Sequence, residues 1–396
     1  MIISKAERLN SVKEYYFSSK LRQIKELNDK GMDILNMAIG SPDLAPHETV
    51  VETLTQGAIH KGIHGYQSYK GIDTLRDAIS TYYQSAYGVS IDPKQEILPL
   101  MGSKEGITHI TQAFINPGDT VLIPDPGYPT YSSVSELAGA KIEAYDLLEE
   151  NNYQPDIESL KKLDLSKVKL MWINFPHMPT GAEPDLEVMK ALIKLAKENK
   201  FLIINDNPYS RILIDKPFSI FQIEGAEEVA LELNSLSKSH NMAGWRLGWV
   251  CGKSTYIDTI LGIKSNADSG MFYPLQMAAA KALLLGEDWF RDLNEQYKRR
   301  QQMIFKVFDL LDCTYNPNQV GLFVWARIPD HVANVEELVD DLIFNAEVFI
   351  TPGKIFGKNG ERYLRASLCS NEQNIDLALT RIKAFKMAQK EKQEAI

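Results

Sequence analysis

Lys238 stands just after a short apolar run, between Ser237 and Ser239, with Arg246 eight positions further on. A lone lysine in a loop is ordinarily a solvated surface charge. Its neighbours argue otherwise. Ser235 and Ser237 are small polar groups, and Gly244 and Gly248 permit close backbone approach. Arg246 offers a planar fork that suits a phosphate oxyanion. A lysine held beside a phosphate site is what a Schiff base to pyridoxal phosphate needs.

Other stretches carry types that could join such a site. Glu96–Met101 is an apolar run leading into Gly102-Ser103-Lys104-Glu105-Gly106 and then a helical pattern. Strand, glycine turn and helix start bind phosphate through exposed N–H groups and the helix dipole. Alone that layout is common; beside Arg246 it gains force. Tyr128 sits between Gly127 and Pro129, where it could stack on a flat heteroaromatic ring or simply pack in the core. Asp206, followed by Asn207-Pro208-Tyr209, ends a buried-type strand. It could cap a turn, or serve as the carboxylate that a pyridine nitrogen requires. Arg365 lies in the alternating stretch Arg362–Leu368, where a surface charge is the ordinary reading.

Two tempting patterns fail. His60 and His64 are four apart, but Gly62 and Gly65 interrupt the helix and no acidic partner stands near, so no metal site is expected. Gly252-Lys253-Ser254 lacks the leading glycine of a phosphate loop, since Leu247 occupies that position.

The elements that must position these groups alternate. Strand candidates at 96–101, 121–124, 141–147, 168–175, 201–204, 232–236 and 247–252 are separated by helical patterns, of which Leu186–Asn199 is the clearest. Such alternation predicts an α/β fold with a mainly parallel central sheet. The proposed groups fall where strands end, the place where ligands bind open sheets of this class. The terminal segments predict a smaller α+β domain. We place the large domain at 46–290, with 1–45 and 291–396 forming an N-terminal arm and small domain.

Composition fits this picture. The chain has 396 residues, 44% of them hydrophobic and 24% charged, values ordinary for a globular enzyme with a large core. A net charge of −9 argues against nucleic acid as a partner. Three widely spaced cysteines suggest neither a disulfide framework nor a metal site. No secretory signal or membrane-spanning run is visible, so a cytoplasmic enzyme is expected.

The lysine stretch Asn234–Trp249 resembles the signature of class I/II aminotransferases, pyridoxal-phosphate enzymes of fold type I, and the resemblance extends over nearly the whole chain. The peptides Gly102–Gly106, Pro124–Pro129 and Lys264–Gly270 are similar to the group holding LL-diaminopimelate and alanine aminotransferases. The resemblance implies that Lys238 holds the cofactor, Asp206 its ring nitrogen and Tyr209 its phenolic oxygen. It implies that Gly102, Ser103, Lys104, Tyr128, Asn174, Ser235, Ser237 and Arg246 complete the cofactor site. Tyr66 would reach a partner's phosphate across a homodimer, making the active sites shared. Gly40 would lay backbone against the substrate and Arg365 would clamp its α-carboxylate. Apart from the resemblance, Tyr15 or Tyr16 of the N-terminal arm is expected to close over the pocket. Lys104 would serve either the phosphate or a substrate carboxylate; the second role predicts substrates with a polar or acidic far end. One departure stands out: Met178 occupies a position where the family usually has an asparagine donor, and methionine cannot donate.

The activity implied is transfer of the amino group of an L-amino acid to a 2-oxo acid, in a ping-pong sequence. A β-lyase or decarboxylase would use the same lysine and aspartate. A cofactor-binding regulatory domain is a further alternative, but no helix-turn-helix module fits once the catalytic fold takes the chain from Gly40 onward.

Overall fold

The computed structural model describes residues 3–10 and 16–394. Its main element is a sheet of seven strands: β1 (Ile97–Leu100), β2 (Thr120–Asp125), β3 (Lys141–Asp146), β4 (Val168–Ile173), β5 (Leu202–Asp206), β6 (Ala230–Ser235) and β7 (Gly248–Gly252). Their order across the sheet is β1-β7-β6-β5-β4-β2-β3. Only β7 runs against the rest, pairing antiparallel with both β1 and β6. The sheet is therefore mainly parallel, as the alternation of elements predicts. The innermost strands are buried along nearly their whole length, with Asn205, Asp206, Glu232 and Asn234 among the polar exceptions to their apolar runs.

Local sequence explains the connections. Asp185 accepts from the N–H groups of Glu187 and Val188 and so starts the helix Leu186–Asn199. Its buried residues Met189, Leu192, Ile193 and Ala196 recur at helical spacing and pack with Ile203 and Met171 of the sheet.

A second unit is built on a four-stranded antiparallel sheet, β8 (Thr314–Tyr315), β9 (Phe323–Arg327), β10 (Thr351–Pro352) and β11 (Tyr363–Ser367), in the order β10-β11-β9-β8. Helices Glu287–Leu310, Val335–Ala346 and Glu372–Glu394 belong to the same region of chain. The N-terminal chain joins it. There Leu35–Asn36 forms a short strand that pairs in parallel with Val348–Phe349. The loop after it, Gly40–Asp43, is thereby suspended between the second unit and the C-terminal ends of the large sheet.

Candidate active site

β6 ends at Ser235, and one short helix, Leu236–Ser239, places Lys238 directly beyond the strand end. Ser235 Oγ accepts from the Ser237 N–H at 3.4 Å, which starts that turn. Lys238 Nζ donates to the Gly40 carbonyl at 2.5 Å, so the amine faces the suspended loop. Burial lowers its pKa below the ordinary lysine value. The Arg365 and Arg246 guanidinia push it the same way, against Cys369 and Asp206. An amine so placed spends more of its time neutral and nucleophilic.

Asp206 ends the neighbouring strand β5 and is buried. Tyr131 donates its hydroxyl to Asp206 Oδ2 at 2.9 Å, while Oδ1 has no hydrogen-bond partner although it is shielded from solvent. Burial raises the carboxyl to about 6, with Tyr131 and Lys238 pulling back. Tyr131 is itself fixed by parallel stacking on Trp172, ring centres 4.9 Å apart. Sequence reasoning gave Tyr131 no role. Its spacing of three from Tyr128, at the start of the helix Thr130–Leu137, was the available signal.

The phosphate-type turn forms as expected after β1. Gly102 adopts φ +87°, and the helix Ser103–Phe114 follows at once. The positive φ favours glycine, and so does crowding: a Cβ on Gly102 would lie 2.2 Å from Arg246 Nη2. Arg246 is thus packed directly against the helix N-terminus, its Nη1 held by the Ala243 carbonyl at 2.9 Å.

Asn174, just past the end of β4, lines the same cavity. Its Nδ2 donates to the Asp206 carbonyl and its Oδ1 accepts from the Met178 N–H at 2.9 Å, so the amide braces two chain segments. The Met178 thioether lies 3.4 Å from Arg365 Nη1, where a donor was expected to stand. Arg365 Nη2 donates to the Ala38 carbonyl at 2.8 Å. Tyr209 is buried edge-on against Phe323, and burial raises its hydroxyl well above the ordinary tyrosine range.

These groups enclose one cavity of about 430 Å³. Gly40, Ser103, Lys104, Tyr128, Ser235 and Ser237 line it with the residues above. Tyr66 does not; it is 93% exposed on its own chain. Tyr15 lies outside the described residues, and from the adjoining helix Tyr16–Asp29 it is Phe17 and Leu21 that reach the cavity. Neither they nor Phe323 and Phe356 were legible as site residues, since an apolar side chain gives no chemical signal by itself.

A family model for aminotransferase class I and II matches residues 32–382. The LL-diaminopimelate aminotransferase of Natranaerobius thermophilus is 38% identical over 380 residues, which cover 95% of this chain and 98% of that protein. That of Aquifex aeolicus is 36% identical over 384 residues, covering 96% and 99%. Among solved structures, apo-BacF from Bacillus subtilis is similar with a TM-score of 0.93 and 34% identity, over 97% of this chain and 98% of the other. A single mutant of Thermus thermophilus aspartate aminotransferase has a TM-score of 0.90 and 25% identity, over 97% and 100%.

Proposed function

The chain belongs to the class I and II aminotransferases, pyridoxal-phosphate enzymes that move an amino group from an amino acid to a 2-oxo acid, and on that premise we propose how its residues divide the work. The residues present fit the cofactor. The partnerless Asp206 Oδ1 suits a protonated ring nitrogen, and the Gly102–Ser103 turn beside Arg246 suits a phosphate. When bound, pyridoxal phosphate supplies a cationic ring that draws electron density from the substrate α-carbon.

Around it, Lys238 Nζ takes the proton from the substrate α-carbon; its lowered pKa leaves it free to accept one. Asp206 would keep the ring nitrogen protonated, and Tyr131 holds Asp206. Tyr209 would serve the phenolic oxygen and Tyr128 the ring, while Ser103, Lys104, Ser235, Ser237 and Arg246 would hold the phosphate. Arg365 receives the α-carboxylate with its fork, and Gly40 presents backbone to the bound amino acid. Asn174 orients the turn that carries Met178. The observation that carries this reading is the pair formed by a buried amine and an orphaned carboxylate oxygen in one cavity.

Lys238→Ala should abolish the borohydride-reducible covalent link to pyridoxal phosphate and nearly all transamination. Covalent retention by that variant would sink the assignment.

We also infer a homodimer with shared sites, supported by the exposed Tyr66 ring lying outside its own cavity. Light scattering that gave only a monomer would end that inference. No helix among the described residues is long and apolar enough to cross a membrane, and we propose a cytoplasmic location. The division into domains at 46–290 and the two terminal segments is proposed on the sheet composition. The named activity of the relatives makes LL-diaminopimelate one donor to assay, against 2-oxoglutarate, pyruvate and oxaloacetate.

A further inference from the structure

The wall of the cavity around Arg365 is apolar. Phe17 and Leu21 stand four apart on one face of the helix Tyr16–Asp29, and Ile39, Met178, Phe323 and Phe356 complete the surface. Three of these rings surround the Arg365 guanidinium. Its Cζ lies 3.9 Å from the ring centre of Phe323, 4.6 Å from Phe356 and 5.5 Å from Phe17. Such packing holds the fork rigid and strips it of water, which strengthens its grip on an α-carboxylate. It also decides what can lie beside that carboxylate.

Charge elsewhere in the cavity is committed. Asp206 is the one carboxylate among the described lining residues, and it faces the ring nitrogen in the reading above. A cationic side chain would therefore find no counter-charge other than Asp206 among this chain's described lining residues. Of the cations, Lys238, Arg246 and Arg365 already have tasks, and Lys104 follows Ser103 on the phosphate turn. An anionic side chain pressed against Phe17, Leu21 and Phe356 would lose its hydration for apolar contact, which is unfavourable. A large uncharged side chain would gain from the same contact.

We propose that Phe17, Leu21 and Phe356 form a specificity wall, and that the preferred amino donors carry large apolar or aromatic side chains. This rests on the proposed roles of Lys238 and Arg365, and differs from the expectation of polar or acidic far ends.

The test uses the loaded enzyme with phenylalanine, leucine, methionine, alanine, glutamate, lysine and LL-diaminopimelate as donors. The cofactor's absorbance change is followed in single half-reactions. Phenylalanine, leucine or methionine should exceed every charged donor at least about tenfold in kcat/KM, the range that pocket contacts of this size supply. Leu21→Ala should lower kcat/KM for phenylalanine about 10- to 100-fold and for alanine less than about threefold, while Phe17→Ala, which also takes a ring from Arg365, should lower it for both donors but at least about tenfold more for phenylalanine. Binding of unreactive carboxylates by calorimetry gives a second readout: 3-phenylpropionate should bind more tightly than glutarate, and Phe17→Ala should erase the difference. Preference for a charged donor, or an equal loss for phenylalanine and alanine in both variants, would overturn the wall while leaving aminotransfer intact. No absorbance change with any donor would overturn the underlying reading, and the wall with it.

Discussion

Arg300 holds Asp43 through both carboxylate oxygens, Nη1 to Oδ1 at 2.7 Å and Nη2 to Oδ2 at 2.9 Å, while Nη1 also donates to the Leu368 carbonyl at 3.0 Å. Asp43 follows Gly40 by three residues, and Leu368 follows Arg365 by three. One buried guanidinium on the long helix Glu287–Leu310 thus fixes both chain segments that face Lys238. Arg300→Lys keeps the charge but loses the fork. We expect KM for the amino donor to rise about tenfold, with kcat changed less than about threefold, because binding geometry suffers more than the reacting amine. Steady-state kinetics beside a melting curve checks this. A fall in kcat at constant KM would speak against a positioning role.

Asp206 contributes to how the stability of the cofactor-free protein depends on pH. Its folded-state value, about 6, lies above the ordinary carboxylate value of 3.8, so the fold disfavours the ionised form. The resulting cost is small below pH 4 and complete above pH 6, where it reaches roughly 3 kcal/mol. Asp206→Asn removes the charge and therefore should stabilise the cofactor-free protein, more at pH 8 than at pH 5. The same variant should hold pyridoxal phosphate more weakly, since a neutral amide gives nothing to a protonated ring nitrogen. Urea unfolding at the two pH values measures the first effect and cofactor titration the second. A variant less stable than the parent at pH 8 would show that Asp206 is not strained by its burial.

Much of this site was legible because reactive side chains sit at strand ends. Asp206 at the end of β5 and Lys238 just after β6 follow from apolar runs that give way to polar residues. What escaped depends on contacts distant in sequence. Tyr131 meets Asp206 across 75 residues, and Arg365 meets Phe17 and Phe323 only through the second unit. The short extent of the Leu35–Asn36 strand was also hidden, because its partner among the described residues, Val348–Phe349, lies far along the chain.

The Met178 thioether contacts Arg365 at the position where the family resemblance implies an asparagine donor. Without that donor, the phenolic oxygen of the cofactor loses a hydrogen bond to a charged acceptor, worth about 1.5–3 kcal/mol. Met178→Asn should restore it and favour the deprotonated lysine-linked chromophore, lowering the midpoint of its spectral titration by about one to two pH units. An unmoved midpoint would mean that Tyr209 already supplies the interaction.

Lys104 offers the sharpest separation between cofactor and substrate roles. It follows Ser103 in the first turn of Ser103–Phe114, lines the cavity, and shares that end of it with Arg246. A lysine there is close to the proposed phosphate. If it serves the phosphate, Lys104→Ala should weaken pyridoxal-phosphate retention about tenfold. It should also lower kcat/KM by the same factor for glutamate, aspartate, alanine and methionine. If it instead reaches a substrate carboxylate, KM should rise for glutamate and aspartate alone, with cofactor affinity unchanged. We expect the first pattern, because the apolar wall of Phe17, Leu21 and Phe356 leaves an acidic side chain poorly hydrated near Arg365. Cofactor titration together with the four-donor comparison decides between them, and selective loss of the two acidic donors would overturn both this assignment and the preference for apolar donors.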